Sequence, residues 1–309
     1  MAKSYGATAI LLAFAWVAAV AETAPPAPQF AGPVAAATLA EPRNREASGL
    51  AASRRTPGLL WTHNDSGGEP VLYAVSPDTG DLRGKVRIKG VANTDWEDIA
   101  SFERDGQAWL VVGDVGDNFA QRPFILLHFI EEPAASALAP ARETEIAPAY
   151  TLRVVYEDLA RDCESLAVDA RDGAVYLLSK REAVPRLYRL PLAPSRETVV
   201  ARRIGTVPHL PQPDFFQRLF KKPTGAYRAS PTAMDFAPDG SAALVLTYGD
   251  LLLFPRAAGE SWADALAKPP VVLAPHDLPQ AEGACFAADG RALFVASEES
   301  MTLLRYDRR

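Results

Sequence analysis

From residue 46 onward, short apolar runs alternate with tight turn signals, and the pattern repeats in five segments of one plan. Each segment opens on small or acidic residues, continues as a short apolar strand, turns, and resumes as a β-rich run. The openings are Glu46-Ala47-Ser48-Gly49-Leu50-Ala51, Asp95-Trp96-Glu97-Asp98-Ile99-Ala100, Asp162-Cys163-Glu164-Ser165-Leu166-Ala167-Val168, Pro231-Thr232-Ala233-Met234-Asp235-Phe236 and Ala281-Glu282-Gly283-Ala284-Cys285-Phe286. The first turns at Thr56-Pro57-Gly58; the others turn at Asp105-Gly106, Asp172-Gly173, Asp239-Gly240 and Asp289-Gly290. Asp-Gly between apolar runs marks a hairpin, because such turns need positive φ. A third strand follows each hairpin, and an outer strand follows four of the five, near Val86–Ile88, Thr151–Tyr156, Val199–Ile204 and Pro270–Leu273.

The fifth segment ends at Arg309, one strand short, while Ala35-Ala36-Ala37-Thr38-Leu39 belongs to no hairpin. The expected fold is therefore all-β: a five-bladed β-propeller over residues 34–309, closed by the N-terminal strand, which hides the ring's edges. A two-sheet sandwich would not require the segment openings to recur in phase. Two stretches interrupt the plan, Pro133 to Ala149 and His209 to Ser230, and both are expected to be surface cover. In the second, Asp214 should cap a short helix over Phe215 to Lys221 with its apolar side against the blades, and another helical turn should start at Ser261.

Before the first segment, Lys3 precedes an apolar run from Ala7 to Val20, and Ala19-Val20-Ala21 offers a small-x-small cleavage site. Residues 1–21 read as a secretory signal peptide, too short in its apolar part to span a bilayer. Residues 22–33 then form a Pro/Ala leader. The protein is expected to be exported, to a periplasm or the exterior, where calcium is available.

In a propeller the first strand of each blade starts beside the central tunnel. These starts present Ser48, Glu97, Glu164, Thr232 and Glu282. Three carboxylates converging on one tunnel repel one another unless a cation or protons neutralise them. Calcium suits the set, since it accepts carboxylate and hydroxyl oxygens in flexible geometry, whereas transition metals favour the His and Cys that are missing from these positions. The plainer alternative is that these side chains bond backbone amides of neighbouring blades.

The second strands end in another polar set, which topology brings to the same mouth: Asn64 and Asp65, Asp114 with Asp117 and Asn118, Lys180 and Arg181, Tyr248 and Asp250, Glu298 and Glu299. Asp65, Asp114 and Asp117 could organise water, with Asn64, Asn118, Lys180, Arg181 and Arg122 holding a phosphate. Asp, Asn and Gly are also ordinary turn formers. Of the four histidines, His63 alone falls at this mouth as a possible general base. Cys163 and Cys285 are expected as small buried fillers, with a disulfide conceivable if export and geometry permit. A net charge of −6 with no Lys/Arg cluster excludes nucleic acid, and no GxSxG, HExxH, GxxxxGK[ST] or DxDxDG motif is present.

The segments around Ser48, Glu97, Glu164, Thr232 and Glu282 resemble the tunnel motifs of the calcium-activated apyrases, five-bladed propellers in which Ser or Glu of each blade binds one central calcium. Thr232 stands where that family has serine, and Ser230 competes for the place. From Glu46 to the C-terminus the chain also resembles exported bacterial propellers of the phytase-like, esterase-like group, most distinctively in Trp61-Thr62-His63-Asn64-Asp65-Ser66-Gly67, Asp95-Trp96-Glu97-Asp98-Ile99-Ala100 and Gly113-Asp114-Val115-Gly116-Asp117-Asn118. The resemblance implies fold and ion more than catalysis. The expected function is a monomeric, calcium-stabilised scaffold that binds a small molecule or a periplasmic protein; the alternative is a calcium-dependent phosphohydrolase of nucleotides or phosphoesters.

Overall fold

A computed structural model describes Met1, residues 28–219 and residues 225–309; the expected signal peptide and most of the leader lie outside these residues. Strand β1 (Val34–Thr38) is followed by five antiparallel meanders. The first comprises β2 (Ala47–Ala52), β3 (Leu60–Asn64), β4 (Val71–Val75) and β5 (Leu82–Ile88). The second comprises β6 (Trp96–Arg104), β7 (Gln107–Asp114), β8 (Ile125–Glu131) and, after β9 (Glu143–Ile146), β10 (Tyr150–Tyr156). The third is β11 (Cys163–Asp169), β12 (Ala174–Ser179), β13 (Arg186–Pro191) and β14 (Val199–Thr206). Helix α1 (Phe215–Leu219) precedes the fourth, made of β15 (Pro231–Phe236), β16 (Ala242–Thr247), β17 (Leu251–Pro255) and, after α2 (Trp262–Leu266), β18 (Val271–Val272). The fifth is β19 (Ala281–Phe286), β20 (Ala292–Ser297) and β21 (Thr302–Asp307), completed by β1, which pairs antiparallel with β21. Phe30 bridges Arg308, so this closure begins before residue 34.

The hairpins form where Asp-Gly stands. Asp105 and Gly106 both adopt positive φ, 54° and 73°, the geometry that joins two twisted strands in two residues. First strands pack one on the next in a cycle: β2 on β6, β6 on β11, β11 on β15, β15 on β19, and β19 back on β2. Among the described residues five apolar layers follow the same cycle, each shared by two consecutive meanders. Trp96 lies in the layer between the first and second, fully buried. The architecture is all-β and propeller-like.

Three details depart from expectation. The second and third meanders merge into one 8-stranded sheet, because the outer strands β10 and β14 pair in parallel. The stretch from Pro133 to Ala149 is more than cover: β9 adds a parallel strand to the free edge of β5, satisfying backbone groups an edge would leave open. Asp214 does cap α1, its carboxylate accepting from the Gln217 amide at 2.8 Å while Gln217 returns a bond to the Asp214 amide at 2.9 Å. Yet Phe215, Phe216 and Leu219 are exposed rather than packed on the blades, and the end of the expected helix, through Lys221, lies outside the described residues. By contrast α2, capped by Ser261, buries Trp262, Ala265 and Leu266.

Candidate functional site at the tunnel mouth

The strand pairing explains why the openings recur in phase. In all five meanders the register between first and second strand shifts at one place: between Ala47 and Leu50, Trp96 and Asp98, Cys163 and Ser165, Pro231 and Ala233, and Ala281 and Gly283. The residues inside these shifts are Ser48 with Gly49, then Glu97, Glu164, Thr232 and Glu282. A bulge takes a side chain out of strict alternation and re-aims it, so each expected tunnel residue sits on the device that can turn it inward. All five are buried. The two hydroxyls staple adjacent strands: Ser48 Oγ donates to the Glu97 carbonyl at 2.9 Å and Thr232 Oγ1 to the Ala281 carbonyl at 2.8 Å.

The three glutamates have different fates. Lys180, just after β12, donates its buried ammonium to Glu164 and, at 3.0 Å, to the Tyr248 hydroxyl. Tyr248 in turn donates to Glu282 Oε1 at 2.8 Å, and Glu298 stands beside Glu282. Burial pushes Glu164 up to about 8 against the pull of Lys180. Burial and the neighbouring Glu282 carry Glu298 to about 8 as well. For Lys180, burial opposes the charge, but Glu164 outweighs it and the pKa rises.

Glu97 lies in different company. Its carboxylate and those of Asp65 and Asp95 each place an oxygen within 4.8 Å of the others. Only 4 % of Glu97 is exposed, and among the described residues no donor bonds its carboxylate. Burial, then the charges of Glu164 and Asp65, push its pKa well above the ordinary range. Asp65 rises to about 6, by burial first, and Asp95 rises for the same reason against the pull of Arg122. Three acids that resist ionising together, with one buried and unbonded, have the chemistry of a divalent-cation site with all-oxygen donors.

Gly116 makes the cluster possible. A Cβ there would stand 2.2 Å from Glu97 Oε1 and 2.5 Å from Asp95 Oδ2. Gly116→Ala should therefore displace both carboxylates and weaken divalent-ion binding at least tenfold, while the melt in EDTA moves little. Calorimetric calcium titration beside thermal denaturation checks this.

The Gly113–Asn118 loop is built largely by its own acids. Asp114 is fully buried, pairs with Arg122 at 2.7 Å and accepts from the Asp95 amide at 3.2 Å. Arg122 also donates to the Gly116 carbonyl at 2.7 Å. Asp117 accepts from the amides of Gln121 and Arg122, both at 2.8 Å. Asp162 accepts from the Asp117 amide at 2.9 Å and holds Arg181 at 2.5 Å, while Arg181 also bonds Asn118. Asn64 is a brace, accepting from the Glu46 amide and donating to the Arg43 carbonyl at 2.6 Å. Of the expected mouth residues, then, Asp65, Lys180, Tyr248 and Glu298 reach the tunnel cluster. Asp114, Asp117, Asn64, Asn118 and Arg181 shape its surroundings.

His63 is not at the mouth. It is fully buried edge-on to Trp96, with centroids 5.6 Å apart, and burial lowers its pKa to about 4. Cys163 and Cys285 are free, buried thiols in different meanders. Asp95 and Asp98, though part of the distinctive run Asp95 to Ala100, are not among the expected site residues, and acids crowding the head of an otherwise apolar strand are the visible signal. Asp98 is fully buried and accepts from the amides of Ile99, Leu166 and Met234 at 2.9, 2.8 and 3.2 Å, tying β6, β11 and β15 together. The same position in the other first strands holds Gly49, Ser165, Ala233 and Gly283, leaving room for one carboxylate to cross.

No protein-family model matches this chain, and no curated protein matches it in sequence. Among solved structures it is similar in fold to a gluconolactonase from Xanthomonas campestris, at 14 % identity and TM-score 0.43 over 94 % of this chain and 99 % of that one. A nidogen/laminin complex follows at 11 % identity and TM-score 0.44, covering 81 % and 72 %. Hydrazine synthase of Kuenenia stuttgartiensis matches at 12 % identity and TM-score 0.41, covering 85 % and 71 %.

Proposed function

We propose that the chain is an exported five-bladed β-propeller whose tunnel mouth holds a divalent cation, calcium, and which serves as a binding scaffold there. The cycle of five meanders and five apolar layers supports the blade number. The observation that carries the ion is Glu97, buried without a donor against Asp65 and Asp95. Oxygen-only donors favour calcium over metals that seek nitrogen or sulfur. The five in-phase bulged residues also support the likeness to apyrase and phytase-like tunnels, with a shift: the acid cluster centres on Glu97, while Glu164 and Glu282 are engaged by Lys180 and Tyr248.

Binding is favoured over phosphoester hydrolysis because the cations a phosphate would need are already committed. Arg122 is held by Asp114, Arg181 by Asp162, and Lys180 by Glu164. The test is calorimetric titration of the mature protein with calcium, beside phosphate release from a panel of nucleotides and phosphoesters. Expected are one calcium per chain, binding at least tenfold weaker in Glu97→Gln and in Asp95→Asn, and no phosphate release. Absence of calcium binding overturns the ion; calcium-dependent release abolished by Asp114→Asn would make the alternative correct.

A further inference from the structure

The first strands begin at the acidic mouth and finish at the other end of the ring. Where β2, β6, β11, β15 and β19 finish, the structure holds a cavity of about 390 Å³. That volume suits a small organic ligand. All five meanders contribute to its wall, through Arg54, Ser101, Phe102, Val168, Phe236 and Ala288 among others. The carboxylate of Asp98, bonded to three strands within the ring, lies between this cavity and the acidic mouth. The two are separate sites.

Arg54 is the feature that gives this cavity a chemistry. Its backbone is clamped: buried Glu132 accepts from the amides of Arg54 and Arg55 at 3.0 and 3.1 Å and from Trp61 Nε1 at 2.8 Å. Its side chain is anchored through Nε to the Ser101 carbonyl and hydroxyl at 3.4 and 3.1 Å. The two terminal nitrogens have no hydrogen-bond or ion-pair partner among the described residues. A guanidinium held by one edge, with its fork free, is prepared for bidentate bonds to a planar anion.

The surrounding charges are consistent with that. Asp169 in the wall is already shared, accepting from Trp262 Nε1 at 2.9 Å and pairing with Arg171 and Arg256 at 3.6 and 3.5 Å. Asp235, a half-buried acid that feels the charge of Arg54, spends both oxygens on the amides of Phe236 and Phe286 and makes no ion pair with it. Glu103 is exposed at the rim. The apolar part of the wall includes Phe102, stacked on Trp109, and Phe236, stacked on Trp262 at 3.8 Å, both fixed in place by their neighbours.

We propose that this cavity is a second binding site, for a small organic carboxylate whose charged end is taken by the Arg54 fork and whose apolar body lies against Phe102, Val168 and Phe236. The pairing is chemically specific: an inorganic anion would forgo the apolar wall, and a neutral analogue would forgo the fork. It does not depend on the ion at the opposite mouth.

The experiment is calorimetric titration of the mature protein, with calcium and with EDTA, using 3-phenylpropionate as probe and its amide and sulfate as comparisons. Expected is saturable binding of the carboxylate in both media, at least tenfold weaker for the amide and for sulfate. Arg54→Gln should weaken it at least tenfold and Arg54→Lys less. Ala288→Trp, an exposed rim position, should block it by filling the space while leaving Arg54 and the melt intact. No saturable binding, equal binding of the amide or sulfate, or binding indifferent to Arg54→Gln in a variant with unchanged melt overturns the proposal. Loss of calcium binding at the mouth with phenylpropionate binding intact would separate its fate from that of the ion.

Discussion

Asp98→Ala is expected to lower the melting temperature by roughly 10 °C. The side chain is fully buried, and its two oxygens accept from three amides on three first strands. Removing it leaves three buried N–H groups without an acceptor, each costing about 1–3 kcal/mol before relaxation, so about 4 kcal/mol together is a moderate expectation. Burial pushes the Asp98 pKa well up, against the three donated bonds that pull it down. Asp98→Asn keeps the shape but offers one acceptor oxygen instead of two, and should lose about half as much. Both are read by thermal denaturation followed by circular dichroism in EDTA, which removes the ion as a confounder. A fall below about 2 °C for the alanine variant would show that the strands are held without it.

Asp98 also marks the limit of what was legible in the chain. Short apolar runs announce every meander and Asp-Gly turns four of the five, because a strand that buries both faces and a turn that needs positive φ each constrain local sequence. The spare strand before the first segment was legible from a count of strands, and it pairs with β21. Bulge positions were legible only as phase: Ser48, Glu97, Glu164, Thr232 and Glu282 recur at one place, while the register shift that aims them is a property of paired strands. Which acids cluster depends on neighbours far along the chain. Nothing local to Lys180 announces that it takes Glu164, or that Tyr248 links it to Glu282. Likewise the Gly113–Asn118 loop reads as chemistry in sequence, but of its two acids Asp114 holds Arg122 and Asp117 accepts from the amides of Gln121 and Arg122. The outcome for α1 has a similar cause, since whether a short helix finds a blade to cover is decided by tertiary space.

Calcium should raise the melting temperature of the mature protein by roughly 5–10 °C at a hundredfold excess over its dissociation constant, where binding contributes about 2.7 kcal/mol. EDTA should reverse the shift. The dependence on pH gives this expectation a sign that generic salt effects lack. Without an ion, Asp65 titrates near 6 and Glu298 near 8, above the ordinary 3.8 and 4.5 that an unfolded chain would show. Between the ordinary and the raised values the folded protein holds more protons than the unfolded one, so stability falls as pH rises through that window. Melts in EDTA should therefore decline from pH 5 to pH 8. A cation among Asp65, Asp95 and Glu97 favours their charged forms, so the gap between calcium and EDTA melts should widen over the same range. Glu97→Gln separates the two effects: losing a repelling carboxylate should raise the EDTA melt, and the calcium shift should fall to about half or less at the same calcium concentration. An undiminished calcium shift in Glu97→Gln would place the ion elsewhere. An EDTA melt that falls in Glu97→Gln would mean that this carboxylate stabilises the empty ring, against its burial beside Asp65 and Asp95.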